Sequence, residues 1–260
     1  MKNPSVQRQQ GAALLMMMLA LIAISSALAY QFLGDLGQKL KRQNNQSLVQ
    51  GIIEAKENLL VFATSIPDLY GDEKSPGFLL CPDMNPLTHS SSGTSSGSCS
   101  WSNSNAIGRL PSKVGSGMGF FYFSQAEKSG GPSIWYAIDD EYRYCLNGTP
   151  CFDKTNPLNI APTMKIGTTP IVAIVIAAGV PLSGNINGQV KTQQRDITQS
   201  AQSQWPEYIE SLQSQNPPVF INKKQNMSYV YNDQVIFITK DEFDARVKAK
   251  VTAVANENNY

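Results

Sequence analysis

Histidine is almost absent from this 260-residue chain, and that scarcity removes more chemistry than any other feature of the composition. His89 is the only one, and it lies in a Ser/Gly-rich stretch. No GxSxG elbow accompanies it, so a serine–histidine hydrolase has neither its nucleophile turn nor a base beside it. GxGxxG and Walker patterns are also missing, which leaves no glycine loop to cradle phosphate. The four cysteines include no CxxC, and with one histidine that argues against zinc. Charge is scarce too: 16% of residues are charged and the net charge is +1, so nothing suggests a surface for nucleic acid or acidic lipid. Asp139 and Glu141 would suffice as a glycosidase pair only if the strand before them continued past Ile138 and set both on one face. Neither an enzyme nor a cofactor is expected.

What the chain does have is one long apolar run. Residues 12–33 carry no formal charge, and a helix of that length is about 33 Å long, enough to cross a hydrocarbon core. Lys2 and Arg8 precede the run and Asp35 follows it, so the positive-inside bias keeps the N-terminus in the cytoplasm and sends the rest outside. Three readings compete. Ala27-Leu28-Ala29 before Tyr30 fits a secretory signal peptide cleaved after Ala29. The length and flanks alone fit a simple membrane anchor. The third reading turns on Gly11, directly ahead of the run.

Beyond Leu33 no proline occurs until Pro67, and apolar residues recur at Leu36, Leu40, Leu48, Ile52, Ala55, Leu59 and Phe62. Lys39, Lys41, Arg42, Glu54, Lys56 and Glu57 fall off that stripe. The pattern predicts one continuous helix of about 50 residues, apolar all round in its first half and amphipathic in its second. A signal peptide has no need of such a continuation. Gly34, Gly37 and Gly51 each lower local helix stability by about 1 kcal/mol relative to alanine.

The remainder is long enough for one domain with its own core. Cys81, Cys99, Cys145 and Cys151 all lie on the outward side of the apolar run, where an oxidising compartment favours disulfides. Three pairings are possible. Cys81 with Cys99 and Cys145 with Cys151 is preferred because each pair brackets a loop-like stretch, the first closing the Ser/Gly-rich segment 90–98. Met118–Ser124, Ser133–Ile138 and Pro170–Ala177 read as strands, the last without alternation and hence buried on both faces. Val219–Asn222, Tyr229–Tyr231 and Gln234–Ile238 supply shorter ones, the last two joined by a hairpin at Asn232-Asp233. Gln193–Gln215 reads as a weak helix plus linker. Thr239 with Glu242 forms a capping box, Ile238 and Phe243 a staple, and Phe243, Val247, Val251 and Val254 one face of a helix over 240–255. Trp101, Tyr142 and Tyr144 in loops are the residues a binding module would use.

The leader carries a resemblance. Arg8-Gln9-Gln10-Gly11 followed by Ala12-Ala13-Leu14-Leu15 resembles the class III leader of type IV pilins and type II secretion pseudopilins. That resemblance implies cleavage by a prepilin peptidase after Gly11 and methylation of the new N-terminus, Ala12. Met16 stands where the family usually has a glutamate, as in minor pilins of the X type and the K-type minor pseudopilin, and a tip or initiating position is consistent with it. Downstream, Pro76-Gly77-Phe78-Leu79-Leu80-Cys81-Pro82-Asp83, Ile107-Gly108-Arg109-Leu110-Pro111, Ile134-Trp135-Tyr136-Ala137 and the apolar strand ending Ala178-Gly179-Val180-Pro181-Leu182 are similar to a recurring pattern in bacterial pilin-like proteins. Leu80 departs from that pattern by replacing the proline before the cysteine.

No metal is expected, although Asp83 beside Asn85, and Asp139, Asp140 and Glu141, are the weak candidates for a hard cation. Arg109 is expected to pair with one of these carboxylates. The reading is therefore an α+β, pilin-like protein: a cytoplasmic leader (1–11), a transmembrane helix (12–33), an amphipathic continuation (34–66), and a periplasmic disulfide-bonded head (67–260) with a mainly antiparallel sheet and a C-terminal helix. Its expected partners are other pilin or pseudopilin subunits, prepilin peptidase and the inner membrane. The alternative is a membrane-anchored or exported binding module of the adhesin kind.

Overall fold

The computed structural model describes residues 17–18, 21–22, 25–26, 46, 48–66, 76–97, 99–100, 106–114, 118–119, 134–144, 157–179, 181–186, 189–209, 212–213, 219–220 and 233–257. The chain divides into two units, Met1–Ser47 and Leu48–Tyr260. In the first, the described residues are helical, and Met17, Met18, Leu21 and Ile22 expose most of their surface. The hydroxyls of Ser25 and Ser26 donate to the carbonyls of Leu21 and Ile22, each at 2.7 Å, so neither polar group needs water. Among the described residues no helix is long and apolar enough to cross a membrane; most of the 12–33 segment lies outside them.

The second unit is α+β. It opens on a helix over 48–66 that buries Ile52, Ala55, Leu59 and Phe62, the stripe expected from periodicity, together with Leu60, Ala63 and Ile66. Each large side chain taken fully from water contributes roughly 1.5–3 kcal/mol. The carbonyl of Ala63, an orphan acceptor of the last turn, receives the Gly77 N–H at 2.7 Å. Gly77 has φ +97°, and a Cβ there would stand 2.4 Å from Pro157 Cγ, so only glycine fits.

Thirteen strands follow among the described residues: β1 Leu79–Leu80, β2 Ile107–Arg109, β3 Lys113–Val114, β4 Met118–Gly119, β5 Ile134–Ile138, β6 Arg143–Tyr144, β7 Lys165–Ile166, β8 Thr169–Ala177, β9 Ser183–Ile186, β10 Gln189–Thr192, β11 Leu212–Gln213, β12 Val219–Phe220 and β13 Gln234–Thr239. The main sheet is antiparallel in the order β13-β8-β5-β2, with β7 also on β8. β8 is its centre, and Ile171–Ala177 are wholly buried, which is why that run lacks alternation. Among the described residues only β1 and β6 pair in parallel.

The C-terminal helix Lys240–Glu257 runs slightly past its expected end. Thr239 Oγ1 accepts the Glu242 N–H at 3.2 Å, and Ile238, Phe243 and Val247 are buried. Glu242 itself pairs with Lys56 at 2.6 Å, and Arg246 pairs with Glu57, so two ion pairs join this helix to the 48–66 helix.

Several expectations are met only in part. Met118–Ser124 is described as strand only at Met118–Gly119, and Val219–Asn222 only at Val219–Phe220. Tyr229–Tyr231 and the Asn232 turn lie outside the described residues; the described partner of β13 is β8. The weak helix expected in 193–215 is present as Ala201–Tyr208, capped by Ser200. β2 and the β9–β10 hairpin were not legible beforehand.

Candidate functional site

Two aspartates singled out by the sequence lie in the interior, where each holds loops together. Asp83 is 1% exposed and follows the disulfide-bonded Cys81. Its Oδ1 accepts from the Asn85 N–H at 2.9 Å and Asn85 Nδ2 at 2.8 Å, and its Oδ2 accepts from the Gly93 N–H at 2.6 Å. Burial pushes this carboxyl above its ordinary range, outweighing the Asn85 and Gly93 donors and the nearby Arg109 cation. Backbone bonds in both directions join Asp83 to Arg109, at 2.9 and 3.0 Å. That approach depends on Gly108, where a Cβ would meet the Asp83 carbonyl at 2.7 Å and Pro82 Cβ at 2.9 Å.

Arg109, 2% exposed, donates from Nη1 to the Asn85 carbonyl at 2.6 Å, a backbone acceptor rather than the carboxylate expected, and its charge acts on Asp83 only through space. Its guanidinium also lies over Trp135, 5.5 Å from the ring centroid. Trp135 packs on Tyr208 at 4.9 Å, and Arg195 covers Tyr208 at 4.6 Å. The result is a column of cation, ring, ring and cation that fixes the Ala201–Tyr208 helix against the sheet. Arg195 further donates to the carbonyls of Gly179 and Glu207. Burial works against ionisation of Glu207, yet the Lys191 ammonium at 2.7 Å, the Gln194 N–H and Arg195 together hold its carboxyl below the usual range.

Asp139 is fully buried and caps a short 3-10 turn, Asp140–Tyr142. Oδ1 accepts the Glu141 N–H at 3.0 Å; Oδ2 accepts the Thr163 N–H, the Thr163 hydroxyl and the Met164 N–H at 2.7, 2.8 and 2.6 Å. With four donors on two oxygens, its acceptor capacity is occupied. Asp140 accepts from the Ser100 hydroxyl at 3.0 Å. Tyr142 donates to the Ile160 carbonyl at 2.6 Å and packs edge-on to Phe243 at 5.2 Å; burial first, then Asp244, Asp139 and Glu141, raise its phenol.

Asp139, Asp140 and Glu141 are thus gathered on one turn, while Asp83 belongs to a separate network. Among the described residues no group of three or more His, Cys, Asp and Glu is placed to hold a metal ion. His89 is exposed and accepts the Ser91 N–H at Nδ1. Cys81 and Cys99 form a disulfide with a Cα separation of 5.6 Å, the preferred pairing for those two. Cys145, Cys151, Gly11, Ala12 and Trp101 lie outside the described residues.

Sequence reasoning missed Arg195 and Gln193. Both sit in a polar segment with no periodicity, and the signal that points to them is the long-range partner set itself. What these buried groups do chemically is satisfy backbone amides and carbonyls, so the loops between strands are held in fixed positions. Comparison with protein-family models, with curated proteins and with solved structures found no match.

Proposed function

We propose that the chain is a minor pilin-like subunit of a type IV pilus or type II secretion-type filament, held in the inner membrane before assembly. The observation that carries this reading is the 48–66 helix: it buries one stripe in the core of an antiparallel α+β head, while farther upstream the sequence holds a charge-free run, 12–33, behind Gly11. In the proposal, residues 12–66 form one helix, its first half in the bilayer and its second in the head. The intrahelical bonds of Ser25 and Ser26 support it, because a hydroxyl that serves its own helix can enter hydrocarbon at small cost. The row Val49, Ile53 and Val61, between 39% and 53% exposed, supports contact with neighbouring subunits along the same helix.

Prepilin peptidase would cut after Gly11, and Ala12 would become the methylated terminus. The head, held rigid by the Cys81–Cys99 disulfide and the Asp83 and Asp139 networks, would decide which neighbours are accepted. Replacement of Gly11 by Val tests this: the expected result is an uncleaved precursor retained in the membrane. Normal maturation of that variant sinks the reading in favour of an anchored or exported binding module.

A further inference from the structure

We propose that His89 is an acid-sensitive latch on the 86–92 turn, holding the turn closed as a neutral imidazole and releasing it when protonated. The turn stands between two fixed points. At its start Asp83 accepts from Asn85 and Gly93 and pairs through its backbone with Arg109; at its end the Gly93 carbonyl accepts the Ser112 N–H at 2.8 Å. Between them the chain folds on itself, the His89 N–H donating to the Pro86 carbonyl and the Ser92 N–H to the His89 carbonyl, both at 3.0 Å. Ser91 ties the tip together. Its carbonyl accepts the Thr94 N–H and Asn85 Nδ2, both at 3.1 Å, and its N–H donates to His89 Nδ1 at 3.1 Å.

That last bond requires an unprotonated Nδ1. Protonation there turns the acceptor into a donor, and two N–H groups then face each other across 3.1 Å. Imidazole is the side chain whose ordinary ionisation falls between about pH 5 and 8. Ser92 supplies the second observation: it is 3% exposed, and its hydroxyl has no hydrogen-bond partner among the described residues. The closed turn therefore carries an unsatisfied group that opening returns to water, which keeps the two states near balance. The charged groups on the elements around the turn are engaged elsewhere. Arg109 of β2 donates to the Asn85 carbonyl. The 193–200 segment packs on the turn through the Ile197 carbonyl, which accepts the Leu87 N–H; its Arg195 binds the carbonyls of Gly179 and Glu207, and its Asp196 binds Thr198 and Gln199. Asp83 is titratable too, but its oxygens accept from Asn85 and Gly93 and leave the Ser91 N–H to His89.

The inference stands apart from the pilin reading and is tested on the full chain in detergent. Because His89 is the only histidine, a nitrogen-15 histidine label gives a single imidazole signal. At about pH 8, on the neutral side of imidazole's range, its proton should sit on Nε2; a proton on Nδ1 overturns the proposal. Amide hydrogen exchange of the 88–94 segment, read by pulsed labelling and mass spectrometry against a synthetic peptide of the same sequence, follows the turn itself. Moving from about pH 8 to about pH 5 should lower protection roughly tenfold, the worth of one hydrogen bond. His89→Asn supplies an amide oxygen that accepts an N–H two residues on and does not titrate, so that variant should keep the same protection at both pH values. His89 and Ser91 are both exposed, so the substitution leaves the core untouched. An equal fall in the wild-type chain and the variant would assign the effect to another group such as Asp83 and overturn the proposal, as would wild-type protection that stays level.

Discussion

Replacing Tyr136 by Phe should stabilise the protein. The Tyr136 hydroxyl is fully buried and has no hydrogen-bond partner among the described residues, although its ring packs at the centre of the sheet with Gly108 and Val175 as strand neighbours. A buried polar group left unsatisfied costs about 1–3 kcal/mol. Removing one oxygen opens a gap smaller than a methyl group, worth roughly 1 kcal/mol or less against that gain. The net expectation is about 1 kcal/mol of added stability, which for a domain of this size moves Tm by about 2–4 °C. Urea unfolding of the disulfide-intact chain in detergent, followed by tryptophan fluorescence, reads the difference. The same residue sets an alkaline limit. Burial raises the phenols of Tyr136 and Tyr142 above 10.0, so each contributes stability that is complete below that value and is lost as pH rises beyond it, where the unfolded state ionises first. The Phe variant should therefore lose stability less steeply in alkali. A variant destabilised by 1 kcal/mol or more, or one with an unchanged alkaline slope, would refute the reasoning.

Asp139→Asn places an amide where one carboxylate oxygen accepted N–H donors, so at least one buried donor is orphaned and a loss of about 3 kcal/mol is expected in the same urea assay. A loss under 1 kcal/mol would mean the 160–164 loop is held by other contacts. Gly77→Ala forces a left-handed backbone on a residue with a Cβ and drives it into Pro157, and should cost at least 2 kcal/mol, read as a lower urea midpoint. Gly11→Val should abolish maturation, visible as a slower-migrating band on denaturing gels.

How legible the fold was depended on how local its causes were. β8 could be read because seven successive apolar residues admit no solvated face, and the C-terminal helix because Thr239, Glu242, Ile238 and Phe243 write its start within six residues. β2 escaped because Ile107-Gly108-Arg109 is three residues long and owes its place to the Asp83 backbone, 26 positions earlier. The β9–β10 hairpin carries no apolar alternation: Val190 is 88% exposed, and Gln193, Arg195 and Glu207 brace its base through long-range bonds. Asp83 and Asp139, weak cation candidates by sequence, act in the fold as acceptors whose N–H partners, at Gly93 and Thr163–Met164, come together only in the folded chain.

The central claim is that Gly11 ends a leader and the apolar run behind it begins a subunit. Edman degradation or N-terminal peptide mass spectrometry of the membrane-extracted protein tests it most directly. The pilin-like reading requires a methylated Ala12 as the first residue. A terminus at Tyr30 would make the run a signal peptide, and an intact Met1 would make it a simple anchor; either contradicts the account.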